Sequence, residues 1–359
     1  MRKELKSRQL YLFLLAFLPF TKLFTMPSIL AKHANEDMWL CAVLSFLLDF
    51  ITLLFIVKVM KKTDKDLFTI LNEKLGKTAT KIVLIIFLIY FTLKAILPIN
   101  ENKDYVEMTL YTLMPTMLYF LPFFIICFYF CLKPLRVLGR AADVLWITSL
   151  IGIVILFSLS LSNSDFSAIL PIGVNGIGSV VKGSLSTLTW FGDSVYFLFF
   201  IGEFNYHKND NKKFFLFYLI SAIMVVFFLT IFYSVFTSIA SRQRFALTEI
   251  SKYTTVINNI GRFDYLGIFL LLFSGIFSLS LPIYFSCRII NRLFNLKKTW
   301  IAPLITVGVQ LFIMVFLQGY SYSIETIITK HLGIFFFAIG NLLPIIISLF
   351  AVKEKKYAA

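Results

Sequence analysis

"FLPFTKLFTMP", residues 17–27, interrupts an apolar run that otherwise extends from about residue 9 to residue 32. Pro19, Lys22 and Pro27 all fall inside it. Each proline removes a backbone donor and crowds the preceding turn, so a helix passing through bends or unwinds. Lys22 lies roughly 20 Å along the helix from its inner end at 1.5 Å per residue, too far for its ammonium to reach that interface. Unwound backbone at bilayer depth is tolerated only where it is buried in protein or lines a cavity. The stretch therefore reads as a membrane helix that opens toward an interior site.

The rest of the chain supports a membrane setting. Of its 359 residues 59% are hydrophobic and only 15% charged, with mean hydropathy +0.85, more apolar surface than a water-soluble domain could cover. Apolar runs of about 20 residues mark spans. Ten are read: 9–32, 37–60, 79–99, 115–132, 137–161, 175–204, 213–237, 264–287, 299–318 and 332–352. The first is too long for a signal-peptide core and is read as a retained helix. The sixth is interrupted like the first, by "LSTLTWFGDSVYF" (185–197) with Thr189, Gly192 and Asp193. Interrupted helices five spans apart, at corresponding places of two halves, are the sequence pointer to an inverted repeat with a mid-membrane binding site.

The net charge of +15 follows from topology. With the N-terminus inside, 24 of the 34 Lys and Arg residues fall on inner segments and eight toward the outer side. That asymmetry obeys the positive-inside rule, puts both termini in the cytoplasm and removes nucleic acid as the reason for the charge. The amphipathic stretch 64–76 is expected along the inner membrane surface, and part of 238–263 is expected to form a short helix closing the outer face. Nothing marks a second domain, so residues 1–359 form one transmembrane unit.

Four ionisable residues fall deep or fairly deep within spans: Lys22, Asp49, Lys94 and Asp193. Their formal charges cancel, as burial in a shared interior requires. Lys22 either serves the site or forms a structural pair. Asp49 is expected to be the static partner of a lysine, and Lys94, near the outer end of its span, is expected to snorkel outward. Asp193 either pairs with Lys22 or binds a substrate ammonium. Asp143 is expected to pair with Arg140, one turn away. The four cysteines lie in apolar segments and read as packing residues. His33, His207 and His331 stand far apart, with no metal-ligand spacing and no glycine-rich phosphate loop, so neither an enzyme, a cofactor nor a metal is read.

Several motifs resemble the spore germination permeases, the membrane B subunits of germinant receptors within the amino acid, polyamine and organocation transporter superfamily. Pro27, Ala31, Ala34 and "NEDMWL" with Asp37 and Trp39 look like that family's stretch after the first helix. "AILPIGVNGIGSVVKG" looks like its Leu-Pro-Ile run, "TWFGDSVYFLF" like its Phe-Gly-Glu break with Asp193 for the glutamate, and "LTEISKYTTVINNIGRFDYLGIF" like the segment before its eighth helix. Where members tend to carry Gly-Thr-Gly, this chain has Phe20, Thr21 and Lys22.

The resemblance implies an all-α membrane protein of about ten transmembrane helices in a five-plus-five inverted repeat (LeuT-like), with helices 1 and 6 broken. The halves would be residues 9–161 and 175–352. It places a pocket between helices 1, 3, 6 and 8, lined by Thr21, Lys22, Thr25, Tyr90, Lys94, Phe191, Gly192, Asp193 and Ser278. Lys22 would pair with a ligand carboxylate, or its ammonium would stand where related transporters bind sodium; either argues against sodium coupling. The implied function is a germinant-receptor subunit in the spore inner membrane that binds a small nutrient, an amino acid by class, and works with A and C subunits. An amino-acid transporter, proton-coupled through Asp193, is the alternative, and a scaffold with a vestigial pocket a third.

Overall fold

The computed structural model describes residues 5–109, 116–207, 209–252 and 264–352. Every named element in them is helical. The first span is two helices, α1 (Ser7–Phe17) and α2 (Met26–Ala34), separated by one 3-10 turn at Phe20–Lys22. Next come α3 (Met38–Lys62), α4 (Leu67–Thr109), α5 (Thr116–Leu132) and α6 (Leu135–Leu161). The sixth span is again divided, into α7 (Gly176–Ser186) and the short α8 (Val195–Leu198). It is followed by α9 (Asp210–Phe236), α10 (Ala246–Lys252), α11 (Asp264–Phe294), α12 (Ile301–Phe316) and α13 (Ser321–Lys330). The last span joins α14 (Gly333–Phe337) to α15 (Leu343–Val352) through a π-turn at Ala338–Leu342. Helices long and apolar enough to cross a membrane include Leu67–Asp104, Leu135–Ser158, Asp210–Arg242 and Gly333–Ala351. The ten spans and both interruptions thus appear where the apolar pattern puts them.

Two elements depart from expectation. The stretch after residue 64 is a helix, but Leu67, Phe68, Ile70 and Leu71 are buried against the bundle. Phe68 meets Phe199 edge-on, with ring centroids 6.3 Å apart, so part of its apolar face packs on protein. Gly76, at φ +77°, then turns the chain into the third span; a side chain is disfavoured in that left-handed conformation. The third span also runs on past Pro98 to Thr109, ten residues beyond its predicted end, which carries Glu101, Lys103 and Asp104 in helical register. Of the expected outer helix, α10 is present, while residues 253–263 lie outside the described part of the chain.

α1 is wedged between α6, α9 and α11; α3 packs on α9 and α15; α4 packs along α11. The second half of the first broken span, α2, and the first half of the other, α7, lie against each other. Two stretches that carry the family likeness meet here: buried Asp37 accepts from the backbone N–H of Gly173 (2.7 Å) and Asn175 (3.2 Å), fixing the loop before α7 to the start of α3. Toward the N-terminal face an aromatic plug closes the interior. Tyr196 stacks on Phe91 (5.5 Å) and Phe285 (5.9 Å), and Phe199 and Phe200 pack on Phe285 at 5.3 Å. In a bilayer, where burial from water gives little drive between helices, such close van der Waals packing holds spans together.

Candidate functional site

The two interruptions face each other at the centre of the bundle. In the first, the 3-10 turn brings Lys22 into an interior where it is 0% exposed. Its ammonium donates to the Leu18 carbonyl (3.0 Å) and to Thr21 Oγ1 (3.4 Å), and pairs directly with Asp193 of the second interruption. The Phe191 ring centroid lies 5.2 Å away and that of Phe46 5.9 Å, so aromatic faces complete the cation's surroundings.

The second interruption supplies backbone. After the turn at Leu188–Trp190, Phe191 is extended (φ −103°, ψ −172°) and Gly192 takes φ +80°. The carbonyls freed by this unwinding find donors: Lys94 Nζ donates to Thr189 O (2.8 Å) and Phe191 O (2.5 Å), and Tyr90 Oη to Gly192 O (3.3 Å). Lys94 Nζ is also 3.4 Å from Asp193 Oδ1. One carboxylate thus bridges two ammonium groups. Lys94 does not snorkel outward as expected; three oxygens of the broken helix hold it inward.

Asp49 completes the neutral set without contacting a lysine. Its Oδ1 is 3.4 Å from the Ser194 N–H and its backbone carbonyl accepts from Ser194 Oγ at 3.0 Å, so it braces the restart of the helix after Asp193. Its Oδ2 has no hydrogen-bond partner among the described residues. The expectation of a lysine partner is corrected accordingly. So is that for Asp143, which receives Arg8 (3.1 Å) and Gln9 (2.8 Å) from α1.

At this junction a cavity of about 20 Å³ remains, lined among others by Thr21, Lys94, Thr189, Asp193 and Ser278. That is space for about one water and not for an amino acid. Of the predicted lining, Thr21, Lys94, Asp193 and Ser278 border it, while Lys22, Phe191, Gly192 and Tyr90 join the surrounding network through Asp193, Lys94 and the Gly192 carbonyl. Ser278 lies 3.4 Å from the Phe17 carbonyl, at the inner edge of the first interruption. Thr25 turns away, donating to Glu101 of α4. Sequence reading missed Glu101 and Trp190, whose indole N–H donates to the same Glu101 oxygen at 3.2 Å. The signal was the acidic residue three positions after Pro98, just past the predicted end of that span at residue 99.

On the face away from the N-terminus, Arg244 bridges Asp104 (2.8 Å) and Glu325 (2.9 Å), and the Ala246 N–H donates to Phe24 O (3.0 Å). The site is therefore closed on both sides, by aromatic rings on one and by polar clasps on the other.

Two interrupted helices crossing around a central polar site, within ten apolar spans, define a membrane protein of LeuT-like fold. Residues 5–323 match the family described as spore germination protein, and the chain belongs to that family. No curated protein matches it. Among solved structures, two mutant forms of the Eremococcus coleocola manganese transporter are similar, each with TM-score 0.59 and 15% identity, over 96% of this chain and 76% of that one. At that identity the likeness establishes the fold alone.

Proposed function

We propose that this protein is the membrane subunit of a spore germinant receptor, binding a small amino-acid nutrient where the two broken helices meet. The observation that carries the reading is the Lys22–Asp193–Lys94 group, buried and self-paired in a site whose cavity has space for about one water. A zwitterion carries both charges needed to exchange partners there. Its carboxylate would take Lys22 and its ammonium Asp193, so that buried charge stays paired throughout. A ligand carrying only a positive charge would displace Lys22 from Asp193 and leave that ammonium uncompensated.

The likeness to manganese transporters does not extend to this site. Two ammonium groups already occupy Asp193, which disfavours a divalent cation, and among the described residues no group of three His, Cys, Asp or Glu could hold one. Lys22 likewise supplies in fixed form the positive charge that a bound sodium would bring. A and C partner subunits and a spore inner-membrane location, by resemblance, and cytoplasmic termini, by the charge asymmetry of the loops, belong to this proposal, as do the repeat limits 9–161 and 175–352.

The test pairs binding of a labelled amino-acid mixture in detergent with uptake into proteoliposomes. Binding without uptake supports the receptor, and binding with uptake makes the protein an amino-acid transporter. Lys22→Ala is expected to abolish binding; binding within about threefold of wild type, less than 1 kcal/mol, removes Lys22 from the site.

A further inference from the structure

Glu101 is a buried acid separate from the central charge group. It sits on α4 toward the outer end, 2% exposed. Its Oε1 accepts Thr25 Oγ1, at the start of α2, and Trp190 Nε1, at the end of the turn after α7. One carboxyl oxygen thus ties together the outer halves of both broken spans. Its other oxygen, Oε2, is buried with no hydrogen-bond partner among the described residues.

The contrast with Asp193 lies in the partners. Asp193 is met by two ammonium groups, while both groups touching Glu101 are neutral donors. The charged groups that face it stand further off: Arg244, ahead of α10, and Glu325, on α13. Those two are engaged with each other and with Asp104. Along α4 itself Lys103 pairs with Asp104 (2.6 Å) and lies 3.6 Å from Glu107. From the central group, Lys22 and Lys94 are committed to Asp193 and to backbone oxygens. A buried carboxylate without a cation in contact is stabilised by taking up a proton, and an unpaired oxygen is where the proton goes.

We propose that Glu101 is a proton-binding site of the outer half of the protein. It carries a proton on Oε2 in this closed arrangement and releases it to outer water when Thr25 and Trp190 separate. A proton from bulk solvent rebinds the same oxygen on closure, so no other donor is needed. The inference stands on the Thr25–Glu101–Trp190 clasp and does not depend on which ligand occupies the centre.

Infrared spectroscopy of the purified full-length protein reads this directly, with the proton as the probe. The wild type should show a protonated-carboxyl carbonyl band that fades as pH is raised. Glu101→Gln, which keeps the Oε1 acceptor and cannot titrate, should lose that intensity, while Asp193→Asn should keep it. Glu101→Asp guards against a folding defect: it should shift the band's pH midpoint without erasing it. A band unchanged by both Glu101 substitutions, or a wild type with no titrating band, overturns the proposal, whatever the amino-acid binding experiment shows.

Discussion

At the first interruption the backbone barely leaves the helical region: Pro19, Leu23 and Thr25 have φ of −68°, −98° and −93°, with ψ between −40° and −7°. At the second, Phe191 is extended and Gly192 sits at φ +80°. The first contributes a charged side chain, Lys22, and the second contributes carbonyl oxygens and Asp193. The difference accounts for Phe20 and Lys22 standing where family members tend to carry glycine. Glycine is needed where backbone must approach a partner or take positive φ. A break that delivers its polarity through a lysine needs neither.

The largest effect expected from this comparison is at its shared ion pair. Asp193→Ala strands two ammonium groups, whereas Lys22→Ala leaves Asp193 with Lys94. Removing one partner of a buried pair typically costs about 3–5 kcal/mol. Asp193→Ala should destabilise by about that much, and Lys22→Ala distinctly less, in thermal unfolding of the detergent-solubilised protein. Equal losses would mean that Lys94 does not share the carboxylate, and the view of the second break as a hub for both lysines would fall.

Next in size is the backbone itself. A Cβ at Gly192 would lie 3.1 Å from Tyr90 Oη and 3.2 Å from Gly340 Cα, in a left-handed conformation. Gly192→Ala should therefore lose about 2 kcal/mol, mostly from that conformation. Thr21→Gly in the first break should lose no more than about 1 kcal/mol, the ordinary helical penalty. The order of the two melting temperatures decides the matter; a larger loss at Thr21 would show that the first break is the conformationally demanding one.

These breaks were legible because prolines, glycine and charge inside an apolar run have few other readings. Lys22 and Asp193 were found by the same logic. What could not be read was direction. Lys94 is close enough to the outer end to snorkel, and only the carbonyls exposed by unwinding at Thr189 and Phe191 draw it inward. Asp49 looked like a lysine's partner because pairing by charge is visible in sequence, while a Ser194 backbone N–H is not. Glu101 was lost to a boundary, since the apolar criterion stops at residue 99 and the helix does not. Thr25 followed it: as a polar residue beside the break it was assigned to the centre, but its hydroxyl turns to Glu101.

The finest test concerns how the freed carbonyls are held. Tyr90 Oη donates to Gly192 O at 3.3 Å, while its ring packs on Phe91 (5.4 Å) and Phe336 (5.5 Å). Tyr90→Phe preserves those ring contacts and removes only the donor, so the loss should be about 1 kcal/mol, one buried hydrogen bond. In the first break, Thr21→Val removes an acceptor 3.4 Å from Lys22 Nζ, which keeps Asp193 and Leu18, and should change stability less. If the break in the sixth span works through backbone, Tyr90→Phe must also change amino-acid binding, because the Gly192 carbonyl would then be free to turn toward the ligand. Unaltered binding with lowered stability would confine Tyr90 to bracing, and Asp193 alone would remain as the ligand-facing group of that break.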